Sequence, residues 1–294
     1  MIYAVLSLAI LGGLFGIILG IANKKFAVEV DSRVTAINEI LPGANCGSCG
    51  FPGCHGYAEA IVADVAPLDA CAPGGDEVRQ KIAQIMGVET EETGERKVVQ
   101  LLCRGGKEQA ALLYDYQGIT DCHSAAAVYQ GPKECNYGCL GFGSCVQICP
   151  FGAIQMGEDR LPVINYDLCT GCGLCVEHCP QQVLKLSKAS QLVHVRCRNK
   201  DKGKTAKNVC TVACIKCKIC EKNCPEGAIV VLADAQGSVA VIDESKCTNC
   251  GLCVEKCPTK AIEKILSLAI TQKQDKNISS GQKLPNCQNC DLCS

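Results

Sequence analysis

"CTGCGLCVEHCP", residues 169–180, carries Cys169, Cys172, Cys175 and Cys179 with two, two and three residues between them, and closes on Pro180. Thiols this close together are badly placed to bridge one another and well placed to point at a common centre. Working outward, the closing element returns as "CPFGAI" from Cys149, "CPEGAI" from Cys224 and "CPTKAI" from Cys257, with "CPQQVL" from Cys179 a looser copy. The three-cysteine approach also returns, as Cys214, Cys217, Cys220 and as Cys247, Cys250, Cys253. A proline after the last cysteine turns the chain out of the loop and removes one competing N–H donor. The chain is therefore an internal repeat built around groups of four thiolates.

This run is similar to that of bacterial two-cluster ferredoxins, where three cysteines hold one 4Fe-4S cube and the fourth reaches across to the other. On that pattern Cys169, Cys172 and Cys175 share a cube with Cys149, and Cys179 completes one begun by Cys135, Cys139 and Cys145. Likewise Cys214, Cys217, Cys220 and Cys257 make one centre, and Cys247, Cys250, Cys253 and Cys224 another. One member departs from the pattern: "CNYGCLGFGSCVQICP", residues 135–150, has three, five and three intervening residues. Its glycine-bearing loops are long enough to wrap a cube, with Cys139 the least secure ligand. Short apolar runs, "LPVIN" at 161–165, "AIVVL" at 228–232 and "VAVID" at 239–243, read as small hairpins covering the centres. Tetrahedral zinc accepts the same donors, but repetition of the full motif favours iron and sulfide.

Composition supports metal ligation over disulfides. The chain has 27 cysteines in 294 residues, and at that length it can bury a core without covalent staples. Net charge is −1, Trp is absent and aromatics are 4%, so neither a global field nor a stacking platform recruits nucleic acid. No G-x-G-x-x-G after a strand, G-x-x-x-x-G-K-[ST], H-E-x-x-H or G-x-S-x-G occurs, so no complete NAD site or activated nucleophile is expected here. His55, His123, His178 and His194 lack the paired Cys/His pattern of a Rieske centre and are expected on the surface or beside cluster sulfurs.

The N-terminus is of another kind. Ile2 to Ala22 is uncharged and long enough to cross a ~30 Å hydrocarbon layer as a helix. Nothing basic precedes it and Lys24 and Lys25 follow it, which fits a retained anchor with the remainder on the cytoplasmic side. Gly12, Gly16 and Gly20 form a smooth stripe, either a docking face for partner helices or the ordinary glycine content of a membrane helix. Val30, Val34, Ile37 and Leu41 predict an amphipathic stalk. "NCGSCGFPGCHGYAEAIVADVAPLDAC", residues 45–71, then sets Cys46, Cys49, Cys54 and Cys71 around a further 4Fe-4S centre.

Seven cysteines fall outside these five centres. Cys103 and Cys122 are either small buried apolar residues or distant ligands of an extra centre; Cys197 and Cys210 are unassigned. Cys287, Cys290 and Cys293 offer three ligands of a sixth cluster in a short tail. The run "VRCRNKDKGKTAKN", residues 195–208, holds Arg196, Arg198, Lys200, Lys202, Lys204 and Lys207 and is either a solvated loop or a landing patch for an acidic redox carrier.

The order of these parts, with "DCHSAAAVYQGPKECNYGCLGFGSCVQICPFGAI" at 121–154, resembles the B subunits of Rnf complexes, membrane ferredoxin:NAD oxidoreductases, over residues 1 to 265. The resemblance implies a membrane-anchored subunit that takes electrons from reduced soluble ferredoxin and passes them to membrane and flavin subunits, the whole complex exporting sodium ions or protons. It implies at least five 4Fe-4S clusters, with a sixth or more left open. The alternatives are a conduit of a hydrogenase or corrinoid-reductase complex and a zinc-organised scaffold. The expected fold class is α+β, divided into an anchor (1–23), a stalk helix and 4Fe-4S domain (24–75), a connecting α/β region (76–130), a two-cluster ferredoxin domain (131–190), a basic linker (191–207), a second two-cluster domain (208–265) and a cysteine-bearing tail (266–294).

Overall fold

A computed structural model describes residues 2–25, 31–89 and 95–265. Val30 of the stalk and the tail cysteines Cys287, Cys290 and Cys293 lie outside the described residues.

Helix α1 (Ile2–Lys25) is the one described helix long and apolar enough to cross a membrane, and Leu14, Phe15 and Ile17 on it are exposed. Helix α2 (Ser32–Ile40) starts where the Asp31 carboxylate accepts the Arg33 N–H, and it buries Val34 and Ile37 against α3 (Gly53–Val62). The Tyr57 hydroxyl of α3 donates to the Pro67 carbonyl at 2.7 Å, satisfying the polar tip of a buried ring. Helix α4 (Gly75–Met86) buries Ile82 and Ala83 and stops at Gly87 in the left-handed region. Helices α1 to α4 form one compact unit; Cys71–Gly75 falls with the second, which contains everything from β1 onward.

The second unit is a tandem repeat. Its first half runs β1 (Lys97–Leu101), α5 (Cys122–Ala126), α6 (Ser144–Gln147), β2 (Ile154–Met156), β3 (Pro162–Ile164), α7 (Leu174–Glu177) and β4 (Leu184–Lys188). Its second half runs β5 (Val193–Val195), α8 (Gly203–Val209), α9 (Ile219–Lys222), β6 (Ile229–Asp234), β7 (Gly237–Ile242), α10 (Leu252–Lys256) and β8 (Ile262–Lys264). In each half the inner strands form an antiparallel hairpin, β2 with β3 and β6 with β7, while the outer strands pair with each other, β1 with β4 and β5 with β8. The cysteine-bearing helices α6, α7, α9 and α10 all begin after a left-handed residue: Gly143, Gly173, Lys218 and Gly251.

Two of the paired strands fall in segments expected to be connecting or linking. The strand in the region expected to be connecting, β1, closes the first ferredoxin half, with Leu101 opposite Leu184. The segment expected as a basic linker contains β5, whose Val193, His194 and Val195 are buried and whose partner is β8. Both pairings are long-range, so local periodicity could not report them. Each half has a small core in which thiols stand among the aliphatics: Val99, Leu101, Ile154 and Leu184 with Cys139, Cys169 and Cys175, then Val193, Ile229 and Ile262 with Cys220 and Cys253.

Candidate metal centres

The hairpins and short helices gather thiols in fours. In the second half Cys224, Cys247, Cys250 and Cys253 line one hollow, and Cys214, Cys217 and Cys257 are neighbours of the Cys220 thiol. In the first half Cys172, Cys169, Cys145 and Cys149 are all neighbours of the Cys175 thiol. These neighbourhoods contain cysteines that the spacing groups together. A further one brings in a cysteine from outside the repeat. Cys139, Cys145 and Cys179 line a hollow whose fourth thiol is Cys122, on α5, in place of Cys135. Cys122 is held there by a chain of bonds: its N–H donates to Ser144 Oγ at 2.7 Å, and that hydroxyl donates to Asp121 Oδ1 at 2.7 Å. Asp121 also accepts the Ser124 N–H, and these bonds hold its carboxyl down at about 2. No spacing rule points to Cys122, because it comes from outside the repeat. Cys135 lines a different hollow with Cys103, Cys197 and Cys210.

The donor sets fit a cube better than a single ion. Among the described residues no three His, Cys, Asp or Glu side chains gather closely enough to hold one metal ion. Tetrahedral zinc draws its thiolates to ≈ 2.3 Å from one point. Four thiols spread round an open hollow suit a body that presents a separate iron to each of them.

Burial dominates the electrostatics. It pushes the Cys175 thiol up to about 12 and those of Cys145, Cys220 and Cys253 up to about 11, with Cys139 higher still. A bare thiol there keeps its proton at neutral pH, and iron must displace it. N–H groups aim at several sulfurs: Val99 N to Cys169 Sγ at 3.5 Å, Ala228 N to Cys224 Sγ at 3.3 Å and Gln191 Nε2 to Cys247 Sγ at 3.3 Å. Such donors favour added electron density on sulfur and so tune reduction potential. Of the histidines, His178 lines the hollow that contains Cys122, Cys139, Cys145 and Cys179. His123 Nε2 meets the His178 carbonyl at 2.9 Å, His194 Nε2 meets that of Gln191 at 2.8 Å, and His55 faces Glu59.

In the N-terminal unit Ser48 Oγ lies 3.3 Å from Cys46 Sγ, and the Cys54 N–H donates to Asn45 Oδ1 at 2.8 Å. The basic run divides in two. Arg196 bonds Glu263 at 2.5 Å and the Leu101 carbonyl at 3.1 Å, Arg198 bonds the Gln182 carbonyl, and Lys200 bonds Gln236 at 2.8 Å. Lys202, Lys204 and Lys207, at the start of α8 and along it, remain exposed.

Known families match along the same segments. An Fe-S cluster family covers residues 41–73, two 4Fe-4S binding domain families cover 139–153 and 162–185, and a 4Fe-4S dicluster domain covers 213–261. The B subunit of the ion-translocating oxidoreductase complex of Methanosarcina acetivorans is 48% identical over 260 residues, 87% of this chain and 97% of the relative. The B subunit of the proton-translocating ferredoxin:NAD(+) oxidoreductase complex of Clostridium ljungdahlii is 42% identical over 92% of this chain and 94% of its own length. The Na(+)-translocating counterpart of Acetobacterium woodii is 45% identical over 82% of this chain and 71% of the relative.

Proposed function

Because the chain belongs to the family of B subunits of ion-translocating oxidoreductase complexes, we propose that it takes electrons from reduced soluble ferredoxin and conducts them to the membrane and flavin subunits of an Rnf-type complex. The observation that carries this reading is the recurrence of hollows lined by four thiols inside a tandem ferredoxin-like fold. A 4Fe-4S cube supplies reversible one-electron redox chemistry when bound. The cysteines hold it, the small aliphatic cores keep water from it, and N–H groups such as those of Gln191 and Ala228 offset charge on its sulfurs.

The ligand sets are Cys46, Cys49, Cys54 and Cys71; Cys122, Cys139, Cys145 and Cys179; Cys149, Cys169, Cys172 and Cys175; Cys214, Cys217, Cys220 and Cys257; and Cys224, Cys247, Cys250 and Cys253. Electrons enter at the second ferredoxin half and leave from the Cys46–Cys71 segment, which is closest in sequence to the anchor. Helix α1 spans the cytoplasmic membrane with Lys24 and Lys25 inside, and its Gly12, Gly16 and Gly20 stripe admits a neighbouring helix. NAD is reduced on a different polypeptide of the complex. The coupling ion also crosses elsewhere, since α1 carries no charge before Lys24. Two electrons falling through about 100 mV release roughly 4.6 kcal/mol, enough to move about one ion against a typical membrane potential.

Ferredoxin docks on the exposed lysines of α8, where opposite charge speeds encounter without tight binding. The test is anaerobic stopped-flow mixing of reduced ferredoxin with the purified chain. Oxidation of ferredoxin is expected to be fast at low salt and slower by about tenfold or more at high salt, with Lys202→Glu/Lys204→Glu/Lys207→Glu reproducing the loss at low salt. A chain that fails to oxidise ferredoxin at any ionic strength overturns the function; a salt-independent rate overturns the docking site alone.

A further inference from the structure

Four of the cysteines that the ferredoxin pattern leaves over, or places elsewhere, meet in one place. Cys103, Cys135, Cys197 and Cys210 line a single hollow in the second unit. They come in matched pairs from the two halves of the repeat. Cys103 stands two residues beyond the end of β1 at Leu101, and Cys197 two residues beyond the end of β5 at Val195. Cys135 stands four residues before Cys139, and Cys210 four residues before Cys214. The hydrogen bonds repeat as well: the Cys139 N–H donates to Cys103 Sγ at 3.4 Å, and the Cys214 N–H donates to Cys197 Sγ at 3.2 Å.

The segment between β1 and α5 ties the pairs together. Ala111 N–H bonds the Val209 carbonyl and Thr211 N–H bonds that of Gln109, while Glu134 N–H bonds the Ala111 carbonyl, so Cys210 and Cys135 are fixed on either side of one short strip. Gly105 leaves the hollow open, because a Cβ there would stand 3.3 Å from Cys210 Sγ and 3.7 Å from Cys103 Sγ. Asn199, almost fully buried, points Nδ2 at Cys135 Sγ at 3.5 Å. Lys133, also buried, lines the same hollow, and its one hydrogen bond among the described residues goes to the neutral Gly105 carbonyl at 2.6 Å. A buried ammonium needs a counter-charge, and an iron-sulfur cube with four thiolate ligands is an anion.

We propose that Cys103, Cys135, Cys197 and Cys210 hold a further 4Fe-4S cluster at the junction of the two ferredoxin halves, two ligands from each. Four thiols give up their protons to solvent as four iron–thiolate bonds form, with no change of oxidation state. Two of its ligands accept N–H bonds from Cys139 and Cys214, ligands of the flanking centres, so this cluster is the electron relay between the halves. The inference rests on the iron-sulfur reading above, and its test separates the two.

Anaerobic Cys103→Ala/Cys210→Ala chain is compared with wild type by iron and acid-labile sulfide analysis and by EPR after stepwise reduction. The variant is expected to lose about four irons and four sulfides per chain and one set of EPR signals, with the other centres retained. Wild type and variant with equal iron and equal spectra overturn the site. Wild type with no iron at all overturns the underlying reading instead. If the double variant does not accumulate, Asn199→Asp decides: it places a carboxylate beside Cys135 while keeping all four thiols. A more negative potential for one centre at unchanged iron content supports the site, and an unshifted titration overturns it.

Discussion

Cys253→Ala is expected to remove one whole centre and with it most of the chain's conductance. Cys253 is 9% exposed and lines its hollow with Cys224, Cys247 and Cys250. Alanine leaves three thiolates and a gap through which water reaches the iron. Loss of a residue that merely supports a metal ligand costs about 10–100-fold in metal affinity, so loss of a ligand is expected to cost ~100-fold or more. The effect is also structural. Cys253 packs with Val193, Ile229 and Ile262, and a core this small depends on its cluster for stability, as metal binding to small domains is folding free energy. Iron analysis should find about four fewer atoms per chain. Ferredoxin-driven NAD reduction by the complex proposed above should fall in proportion to the loss of this centre. Full iron content in this variant would contradict the ligand assignment.

Gly171→Val should have a large effect while leaving every thiol in place. Gly171 lies between Cys169 and Cys172 with φ +70°, and a Cβ there would collide with the Lys97 carbonyl oxygen of β1. A left-handed conformation costs an ordinary residue roughly 1–2 kcal/mol, and a β-branched one more. The collision adds to this by forcing the cysteine loop away from β1, whose Val99 N–H bonds Cys169 Sγ. A total of about 3 kcal/mol is a large share of the roughly 5–15 kcal/mol that holds a typical domain folded. Iron should be lost to a chelator markedly faster than from wild type. Gly152→Ala is the control: φ is +61° but nothing lies within 4 Å of its Cβ, so only the backbone cost applies. Equal chelator sensitivity of Gly171→Val and Gly152→Ala would show that the contact with β1 does not hold the loop.

The parts of this molecule that are legible in its sequence are those encoded locally. Cysteines two and three residues apart with a following proline announce a centre wherever they occur, and the resemblance to two-cluster ferredoxins supplies the fourth member of the sets proposed around Cys175, Cys220 and Cys253. The uncharged run of α1 and the stop of α4 at Gly87 are local signals of the same kind. Cys122 is illegible because the bonds through Ser144 and Asp121 that carry it to Cys145 and Cys179 are tertiary. Strands β1 and β5 lie in segments expected to be connecting or linking, and their pairing with β4 and β8 is illegible because the partners lie far along the chain. That conceals the symmetry of Cys103 with Cys197, since the equivalence of these residues is their position just after strands whose pairing local pattern does not report. The basic run likewise reads as one patch, whereas Arg196, Arg198 and Lys200 bond within the fold and only the lysines of α8 face outward.

Iron and acid-labile sulfide analysis of the anaerobically purified chain, with EPR through a reductive titration, tests the central claim most directly. Six sets of four cysteines predict about twenty-four irons and as many sulfides per chain, brown protein that bleaches under dithionite, and several overlapping one-electron transitions. Colourless protein carrying zinc, or colour that dithionite leaves unchanged, would contradict it.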